Sequence, residues 1–521
     1  MKKILIIATI LLTATTAMVI SSCKKDITLS PLNGVTDYFK SYKDIAAALA
    51  GMYSSFQEET TGDGSGKDEG YGGRYHYWGE GRSDNFAPSQ YFNTTITELS
   101  TNGVTINNTA TDWNGLYRTI SRANYIIKYA PGVPAIDVNT TPTIVNNALA
   151  QAYAMRAECY FYIVRLWGDA PLWTEPYQDI TTQGARPRTS KTVLLDSIVR
   201  DLTKAYTLLP GKGTTANPVW TIHDAAICAI MADVYMWRKD YPNAIIWMNN
   251  LFKARTPNTT TATKYGGTTG IPDGSNLESI GNWKTNNFIS PASGTTIEPI
   301  WSINWDNVSN GCACIPISIQ TSNNPVRVDS TFYFNWKTIT TDARLVQTLD
   351  ITATPTSGLG KWDKVLKYYA ATSGGGVTST QATTYNVNLV MYRLGDMLLL
   401  YAEALNATGD RANALKYLNI IHTRAGLPPF LTTDPTIATA DQLEDAILKE
   451  RQYETFAEGK RWFDLVRMGR VNQVMDPILK GRQATKGSPQ VGFGTDLNKT
   501  LWPISRAALN ANTLLVQNPS Y

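Results

Sequence analysis

The sequence predicts a mainly α-helical protein, in which pairs of helices form a repeated scaffold that carries long polar loops and a few short strands. Three observations predict this class. Apolar residues recur at steps of three and four, one helix–turn–helix spacing occurs twice, and polar stretches such as 256–296 and 352–384 separate the helical blocks. The 521 residues are 43% hydrophobic and only 17% charged, which excludes a disordered chain.

The clearest helical block has one apolar face and a defined end. Its apolar residues lie three or four positions apart and comprise Ala152, Met155, Cys159, Ile163 and Leu166. Gly168 and Pro171 follow this block, as is common after the last turn of a helix. A capping box at 441–444 predicts the start of another helix. The alternation of Ile300, Trp301 and Ile303 predicts a short strand with a buried tryptophan.

The helix–turn–helix spacing is repeated in the two halves of the chain. Its positions are an alanine, an aspartate eight residues later and a second alanine after four more, namely Ala232, Asp240 and Ala244, and then Ala402, Asp410 and Ala414. Small residues at these places let two helices approach closely, as they do in tetratricopeptide-like units. The sequence therefore predicts an α/α superhelix, although any αα-hairpin also fits two copies.

The first 22 residues predict an export signal. Lys2 and Lys3 precede an apolar run from Ile4 to Ile20, and small residues then lead directly into Cys23. This boundary resembles the lipobox of bacterial lipoproteins, which implies removal of residues 1–22 and acylation of Cys23. Several acyl chains anchor a protein stably to a membrane. A membrane-spanning helix that ends in cysteine is the alternative, for which the run is slightly short.

Charge and motifs exclude several function classes. Without Lys2 and Lys3 the chain has 45 basic and 43 acidic residues and no basic stripe, so we expect no nucleic-acid partner. No nucleophile elbow, phosphate-binding loop or zinc-protease motif occurs in the sequence. The three histidines are far apart, so neither a metal site nor another cofactor is expected. Cys312 and Cys314 lack the zinc or redox spacing, which leaves packing or a local disulfide.

A dense run of charges at 450–467 invites a catalytic interpretation. Glu450, Glu454 and Glu458 lie four residues apart, and we interpret the run as one helix. Like charges at that spacing repel, so these carboxylates need basic partners such as Arg451, Arg461 and Arg467. We favour a structural network over a pair of glycosidase carboxylates, which sequence alone does not exclude.

An ordered set of motifs resembles the SusD/RagB family of surface lipoproteins. In chain order they are EGRSDN at 80–85, Trp113, Tyr117, Asn124, RAECYFYIVRLWGDAPL at 156–172, YRLGDMLLLYAEA at 392–404, RAGL at 424–427, ERQYE at 450–454, EGKRWFDLVR at 458–467, LWPI at 501–504 and QNPSY at 517–521. The resemblance spans nearly the whole mature chain. One departure is Gln452, where the family often has arginine.

The resemblance implies a binding protein without catalytic residues. Such proteins lie over a SusC-like TonB-dependent transporter in the outer membrane, capture an oligosaccharide and deliver it. The alternative is a helical-repeat protein that binds peptides or proteins at the outer membrane. The resemblance also implies one domain at 23–521, with a helical part at 23–250, a loop-rich ligand-binding region at 251–385 and a helical C-terminal part at 386–521. We expect an outer-membrane protein that faces the cell exterior.

Loop aromatics beside polar groups are the candidate ligand contacts, because sugar rings stack on aromatic faces while their hydroxyls need hydrogen-bonding partners. The candidates are Trp78, Arg82, Asp84, Asn85, Tyr91, Phe92, Asn93, Trp283, Asn304, Trp305, Asp306, Tyr333 and Trp336. Among them Trp305 and the stretch 91–93 are preferred. The tryptophans in helices or family motifs are expected to be core residues, namely Trp113, Trp167, Trp237, Trp247, Trp462 and Trp502.

Overall fold

A row of packed helices forms the frame of the protein in the computed structural model. The structure describes residues 38–61, 73–89, 93–177, 184–310, 326–351, 365–370 and 386–521. The residues from Ser41 to Tyr521 belong to one compact unit. The helices are α1 (Tyr42–Thr61), α2 (Arg74–Gly79), α3 (Thr94–Ser100), α4 (Asn114–Tyr129), α5 (Pro142–Trp167), α6 (Lys191–Leu208), α7 (Asp224–Trp237), α8 (Tyr241–Leu251), α9 (Ile280–Lys284), α10 (Asn307–Asn310), α11 (Ser330–Lys337), α12 (Arg344–Thr348), α13 (Leu394–Ala407), α14 (Arg411–Arg424), α15 (Ala440–Glu454), α16 (Arg461–Arg467), α17 (Val471–Thr485) and α18 (Arg506–Ala511).

Each long helix of the frame packs on the next. The row runs α1, α4, α5, α6, α7, α8 and α13, and both α14 and α15 then pack on α13. Because each helix buries its apolar face against its neighbours, the row forms one continuous core. The predicted mainly α-helical repeat fold is confirmed.

The repeated spacing corresponds to two helix pairs with the same turn. Asp240 opens α8 and accepts two hydrogen bonds from Asn243, one from its backbone N–H and one of 2.7 Å from its side-chain amide. Asp410 opens α14 and makes the same two bonds with Asn413, the second at 2.8 Å. The four alanines of the repeat are fully buried, so they provide close helix contacts as predicted. The predicted capping box lies two residues earlier, between Thr439 and Gln442.

Two short antiparallel ribbons are inserted into this frame. Strand β1 (Phe86–Pro88) pairs with β3 (Val326–Val328), and β2 (Pro299–Trp305) pairs with β4 (Val387–Arg393). Every residue of β4 is buried, as are all residues of β2 except Asn304. The second ribbon therefore runs through the interior and reaches the surface only at the end of β2.

Contacts between the two ends of the chain close the fold. The Trp167 indole donates to the carbonyl of Pro503 at 3.1 Å, and the Asn518 side chain donates to the carbonyl of Trp167 at 3.0 Å. Trp113, Trp167, Trp462 and Trp502 are buried as predicted. Trp237 and Trp247 are only half-buried, because α7 and α8 present part of these rings toward solvent.

Candidate functional site

The free ends of the two ribbons border, in the sequence, the stretches 90–92, 311–325 and 371–385, which lie outside the described residues. Pro88 lies opposite Val326 in the first ribbon, and Trp305 lies opposite Val387 in the second. The chain between Asn310 and Val326 joins these two ends. Binding residues are commonly carried on loops that a rigid scaffold positions. These ribbon ends are therefore the candidate site.

At the end of β2 lies a small polar cluster, half-buried except for the exposed Asn304, which we term the β2 tip and define as Gln57, Asn304, Asp306 and Asn310. The Gln57 side chain, from the last turns of α1, donates to the Asn304 carbonyl and exchanges weaker bonds with the Asn310 amide at 3.4–3.5 Å. Asp306 donates its backbone N–H to Asn310 Oδ1 at 3.1 Å. The Asn304 side chain is exposed and Asp306 is half-buried. This tip presents amide and carboxylate groups to solvent.

Most of the predicted aromatic contacts lie in the core instead. Trp78, Trp283, Trp305 and Trp336 are each no more than 1% exposed. Tyr333 is also buried, and its hydroxyl donates to the Asp350 carbonyl. A buried ring has no free face for a sugar, so the prediction that these side chains form stacking platforms is wrong for this conformation. Tyr91 and Phe92 lie outside the described residues.

The indole N–H groups show why these tryptophans are inside. Trp78 Nε1 donates to the Ala110 carbonyl at 3.0 Å, Trp283 Nε1 to Glu454 at 3.3 Å and Trp336 Nε1 to Asp342 at 3.0 Å. Burial of a tryptophan is favourable when its polar N–H finds a partner. Sequence reasoning missed this because two of the three partners are distant in the chain, Ala110 by 32 residues and Glu454 by 171, although Asp342 is only six residues from Trp336.

The motif at 80–85 is a structural clasp between the two ends of the chain. Arg461 donates two hydrogen bonds to Asp84, at 2.8 and 2.9 Å, and Gln452 donates to both Asp84 and Asn85. Arg82 donates to Asn102 at 2.6 Å. All three motif residues are buried, which corrects their assignment as ligand contacts. Gln452, the departure from the family pattern, thus keeps a hydrogen-bonding role.

Asn93 and Glu80 also have structural roles. Asn93 caps α3, because its side chain accepts from the backbone N–H of Ile96 at 3.0 Å. Glu80 is buried and accepts hydrogen bonds from Asn85 and from the backbone of Gly459. Burial raises the pKa of Glu80 to about 8. Neither arrangement requires a ligand.

The charged run at 450–467 forms a buried ion network, as predicted, but with other partners. Arg393 donates to Glu458 at 2.8 and 2.9 Å and to Glu454 at 2.5 Å, and Arg344 pairs with Glu450 at 2.7 Å and Glu454 at 3.0 Å. Burial alone would raise the pKa of Glu454, yet the surrounding arginines hold it well below its usual range. The carboxylates are therefore neutralised by basic groups from distant segments.

The run also differs from the prediction in shape. Helix α15 ends at Glu454 and α16 begins at Arg461, so it is not one helix. Arg451 pairs with Asp396 and Asp464, whereas Arg467 pairs with Glu403 and Asp464. These pairs join α13, α15 and α16. The network holds the C-terminal helices together.

Other chemistry can be stated for the described ranges only. Cys159 and Cys228 are buried and free, whereas Cys312, Cys314 and Cys23 lie outside these ranges. Among the described residues, we find no group of three or more histidine, cysteine, aspartate or glutamate side chains that could hold a metal ion. None of the helices described above is both long and apolar enough to cross a membrane.

One concave surface was not predicted from the sequence. It is lined in part by Trp173 and Tyr177, which follow the helix stop after Trp167 and lie in a segment without regular structure. The signal for these residues is the same one used elsewhere, namely aromatic residues in a non-helical segment.

The frame and its exposed ribbon ends define a helical-repeat scaffold that presents loops. A family model described as "SusD family" matches residues 315–521, and a second one, described as "Starch-binding associating with outer membrane", matches residues 64–236. The chain belongs to the SusD/RagB family.

Relatives and solved structures agree over nearly the full length. The chain is 26% identical to SusD-like protein P38 of Formosa agariphila, over 96% of each chain. A SusD homolog from Bacteroides thetaiotaomicron has the same fold, with a TM-score of 0.72 at 18% identity over 94% of this chain and 98% of that one. A structure described as a laminarin binding SusD-like protein has a TM-score of 0.66 at 19% identity over 93% and 100%.

Proposed function

We propose that this protein captures an oligosaccharide at the cell surface and delivers it to a SusC-like TonB-dependent transporter in the outer membrane. The observation that carries the proposal is family membership, through a model described as starch-binding and associating with the outer membrane. A structural neighbour described as laminarin binding supports the same ligand class. The protein acts as a binding protein and leaves the ligand chemically unchanged.

The β2 tip is the part of the described surface that best suits this role. Asn304 and Asp306 are accessible there, and amide and carboxylate groups are the usual partners of sugar hydroxyls. The hydrogen bonds among Gln57, Asn304 and Asn310 hold the backbone of the tip in place, so less entropy is lost on binding. We propose Asn304 and Asp306 as contacts, with Tyr91 and Phe92, which follow β1, as the stacking rings.

The leader fits a surface location. We propose that Cys23 is acylated and that the chain is attached to the outer membrane through its lipid, facing the exterior. An attached protein remains beside its transporter, so capture and transfer occur at a high local concentration. The transporter partner is proposed from the family alone.

Calorimetry on the mature chain tests the ligand class. Maltohexaose and laminarihexaose represent starch and laminarin, and a pooled peptide library represents the alternative ligand. We expect micromolar to millimolar binding of at least one glycan and at least a fivefold loss in Asn304→Ala and Asp306→Ala. Asn510→Ala, which changes an exposed asparagine on α18, is the matched control. Binding of peptides alone contradicts the proposal.

Affinity purification from native membranes tests the partner. We expect a large outer-membrane barrel to be recovered with the wild-type chain under conditions that preserve other membrane complexes. Recovery of the chain without a barrel contradicts delivery to a transporter, while leaving glycan capture to the calorimetric test.

A further inference from the structure

A concave surface on α4 contains the elements of a carbohydrate site, and we term it the aromatic cleft. Its volume is about 220 Å³. Its walls are formed by α4 and by the segment that follows α5, through Tyr117, Ile120, Ser121, Asn124, Trp173, Glu175 and Tyr177. None of these residues belongs to the β2 tip. The cleft is therefore a separate place on the protein.

Buried side chains hold the outer wall of the cleft in a fixed shape. Arg156 is paired with Asp201 through two bonds of 2.7 Å and also donates to the carbonyl of Thr174 at 3.0 Å. Asn124 donates to the carbonyls of Trp173 and Glu175, both at 3.2 Å. The backbone carbonyls of the three consecutive residues 173 to 175 thus accept hydrogen bonds from buried side chains. A site held in this way needs little reorganisation to bind a ligand.

The aromatic rings of the cleft are also fixed. Trp173 and Tyr177 meet edge to face, with centroids 5.8 Å apart at 89°. The Arg186 guanidinium lies 3.6 Å from the Trp173 ring centre and covers one face. The Tyr117 hydroxyl donates to the Pro171 carbonyl at 2.8 Å. Tyr177 remains 41% exposed, so a flat apolar surface is offered to solvent.

Polar groups lie beside these rings. The described residues supply no hydrogen-bond partner to the Ser121 hydroxyl or the Trp173 indole N–H, and neither group is sealed from water. The Glu175 carboxylate is largely exposed and lies 3.7 Å from Lys128. A donor–acceptor hydroxyl, an N–H donor and a carboxylate beside aromatic rings match the hydroxyls and C–H faces of a sugar.

We infer that the aromatic cleft is a second carbohydrate-binding site that takes a single sugar ring. Its volume lies below the roughly 300–1,000 Å³ of sites for larger ligands, so it fits one residue of a glycan rather than a chain of several. The ligand class rests on the proposed function, whereas the location rests on the cleft itself. Weak binding at such a site increases the capture of a long glycan that also reaches the β2 tip, because the second contact is intramolecular.

The indole of Trp173 provides a local reporter for the test. The mature chain is labelled with 5-fluorotryptophan, and the Trp173 fluorine resonance is assigned with Trp173→Phe. Glucose, maltose and laminaribiose are then titrated. We expect at least one sugar to shift this resonance saturably, with a dissociation constant in the millimolar range.

Two cleft variants and one control make the test specific. Ser121→Phe fills the cleft and is expected to abolish the shift, while Tyr177→Ala is expected to weaken binding at least fivefold. Tyr42→Ala, which removes a tyrosine of similar exposure (39%) on α1, is expected to change nothing. If Ser121→Phe fails to fold, Tyr177→Ala alone decides.

The outcomes separate the cleft from the proposed function. A Trp173 resonance that none of the sugars shifts, or a dissociation constant that stays within about twofold of wild type in Tyr177→Ala, overturns the cleft. Hexaose binding by calorimetry without a Trp173 shift refutes the cleft and leaves glycan capture intact. A Trp173 shift together with unchanged hexaose affinity in the Asn304 and Asp306 variants supports the cleft and excludes the β2 tip as a glycan-binding site.

Discussion

Trp305 is either a stacking platform for a ligand or a core residue, and its burial in the structure identifies it as a core residue. Its ring is 1% exposed, and it lies opposite Val387 at the end of a ribbon whose residues are buried except Asn304. Its neighbour Asn304 is exposed. Trp305→Ala therefore removes packing beneath the β2 tip, whereas Asn304→Ala removes only a group at its surface.

The expected magnitude follows from the buried area. A buried aromatic side chain removes about 150–250 Å² from water, which at roughly 25 cal/mol per Å² corresponds to about 4–6 kcal/mol. Measured losses for tryptophan or phenylalanine to alanine are about 3–5 kcal/mol. The unit from Ser41 to Tyr521 has an unfolding entropy of roughly 1 kcal/mol/K at about 2.1 cal/mol/K per residue. Trp305→Ala should therefore lower Tm by about 3–5 °C.

Paired thermal melts and calorimetry measure the two effects separately. At 20 °C we expect the glycan affinity of Trp305→Ala to remain within about twofold of wild type, because the ring makes no direct contact. Asn304→Ala is the matched control and should give the reverse, namely an unchanged Tm and weaker binding. A Trp305→Ala protein with unchanged Tm and about thirtyfold weaker binding, the loss expected for a desolvated aromatic anchor, would refute burial of this ring.

Three other changes test the buried charges and the leader. Asp84→Ala leaves Arg461 buried without its carboxylate, so the free energy of unfolding in urea should fall by about 3–5 kcal/mol; a loss below about 1 kcal/mol contradicts the clasp. Burial raises the pKa of Glu158 from 4.5 to about 7, so the folded state binds the extra proton and the wild-type protein loses stability as pH rises between these values. Glu158→Gln should remove the Glu158 contribution to this dependence, so relative to wild type it gains up to about 3 kcal/mol at pH 8 and nothing at pH 4; a stability difference that does not change with pH would exclude this prediction. The Cys23→Ala protein should be absent from the washed outer-membrane fraction, and its retention there would argue against the lipid anchor.

The helical frame could be predicted because its signals are local. The aspartate turn at Asp240 and Asp410 depends on a side chain three residues away, and the buried alanines lie at helical spacing. Such short-range patterns are visible in a single sequence. The same is true of the short strand around Trp301, which is buried as the alternation indicated.

The exposure of loop aromatics could not be predicted in this way. Trp283 stands in a polar stretch, but the carboxylate of Glu454, 171 residues away, accepts a hydrogen bond from its indole N–H. Glu458 likewise takes Arg393 as its partner from 65 residues away rather than the nearby Arg461. Whether a side chain with polar neighbours in the sequence is exposed or buried in the fold depends on these long-range pairs.

The clasp between the two ends of the chain has a consequence for how the protein is made. Asp84 and Arg461 are 377 positions apart, and Trp167 and Pro503 are 336 apart. At roughly 5–20 residues per second, a ribosome adds the partner of Asp84 about 20–75 s after Asp84 itself. During that interval the N-terminal half carries a carboxylate and several tryptophans without the segment that covers them. Long-range contacts of this kind slow folding and leave apolar surface open to aggregation until they form, so the fold closes only when the last helices of the chain are present.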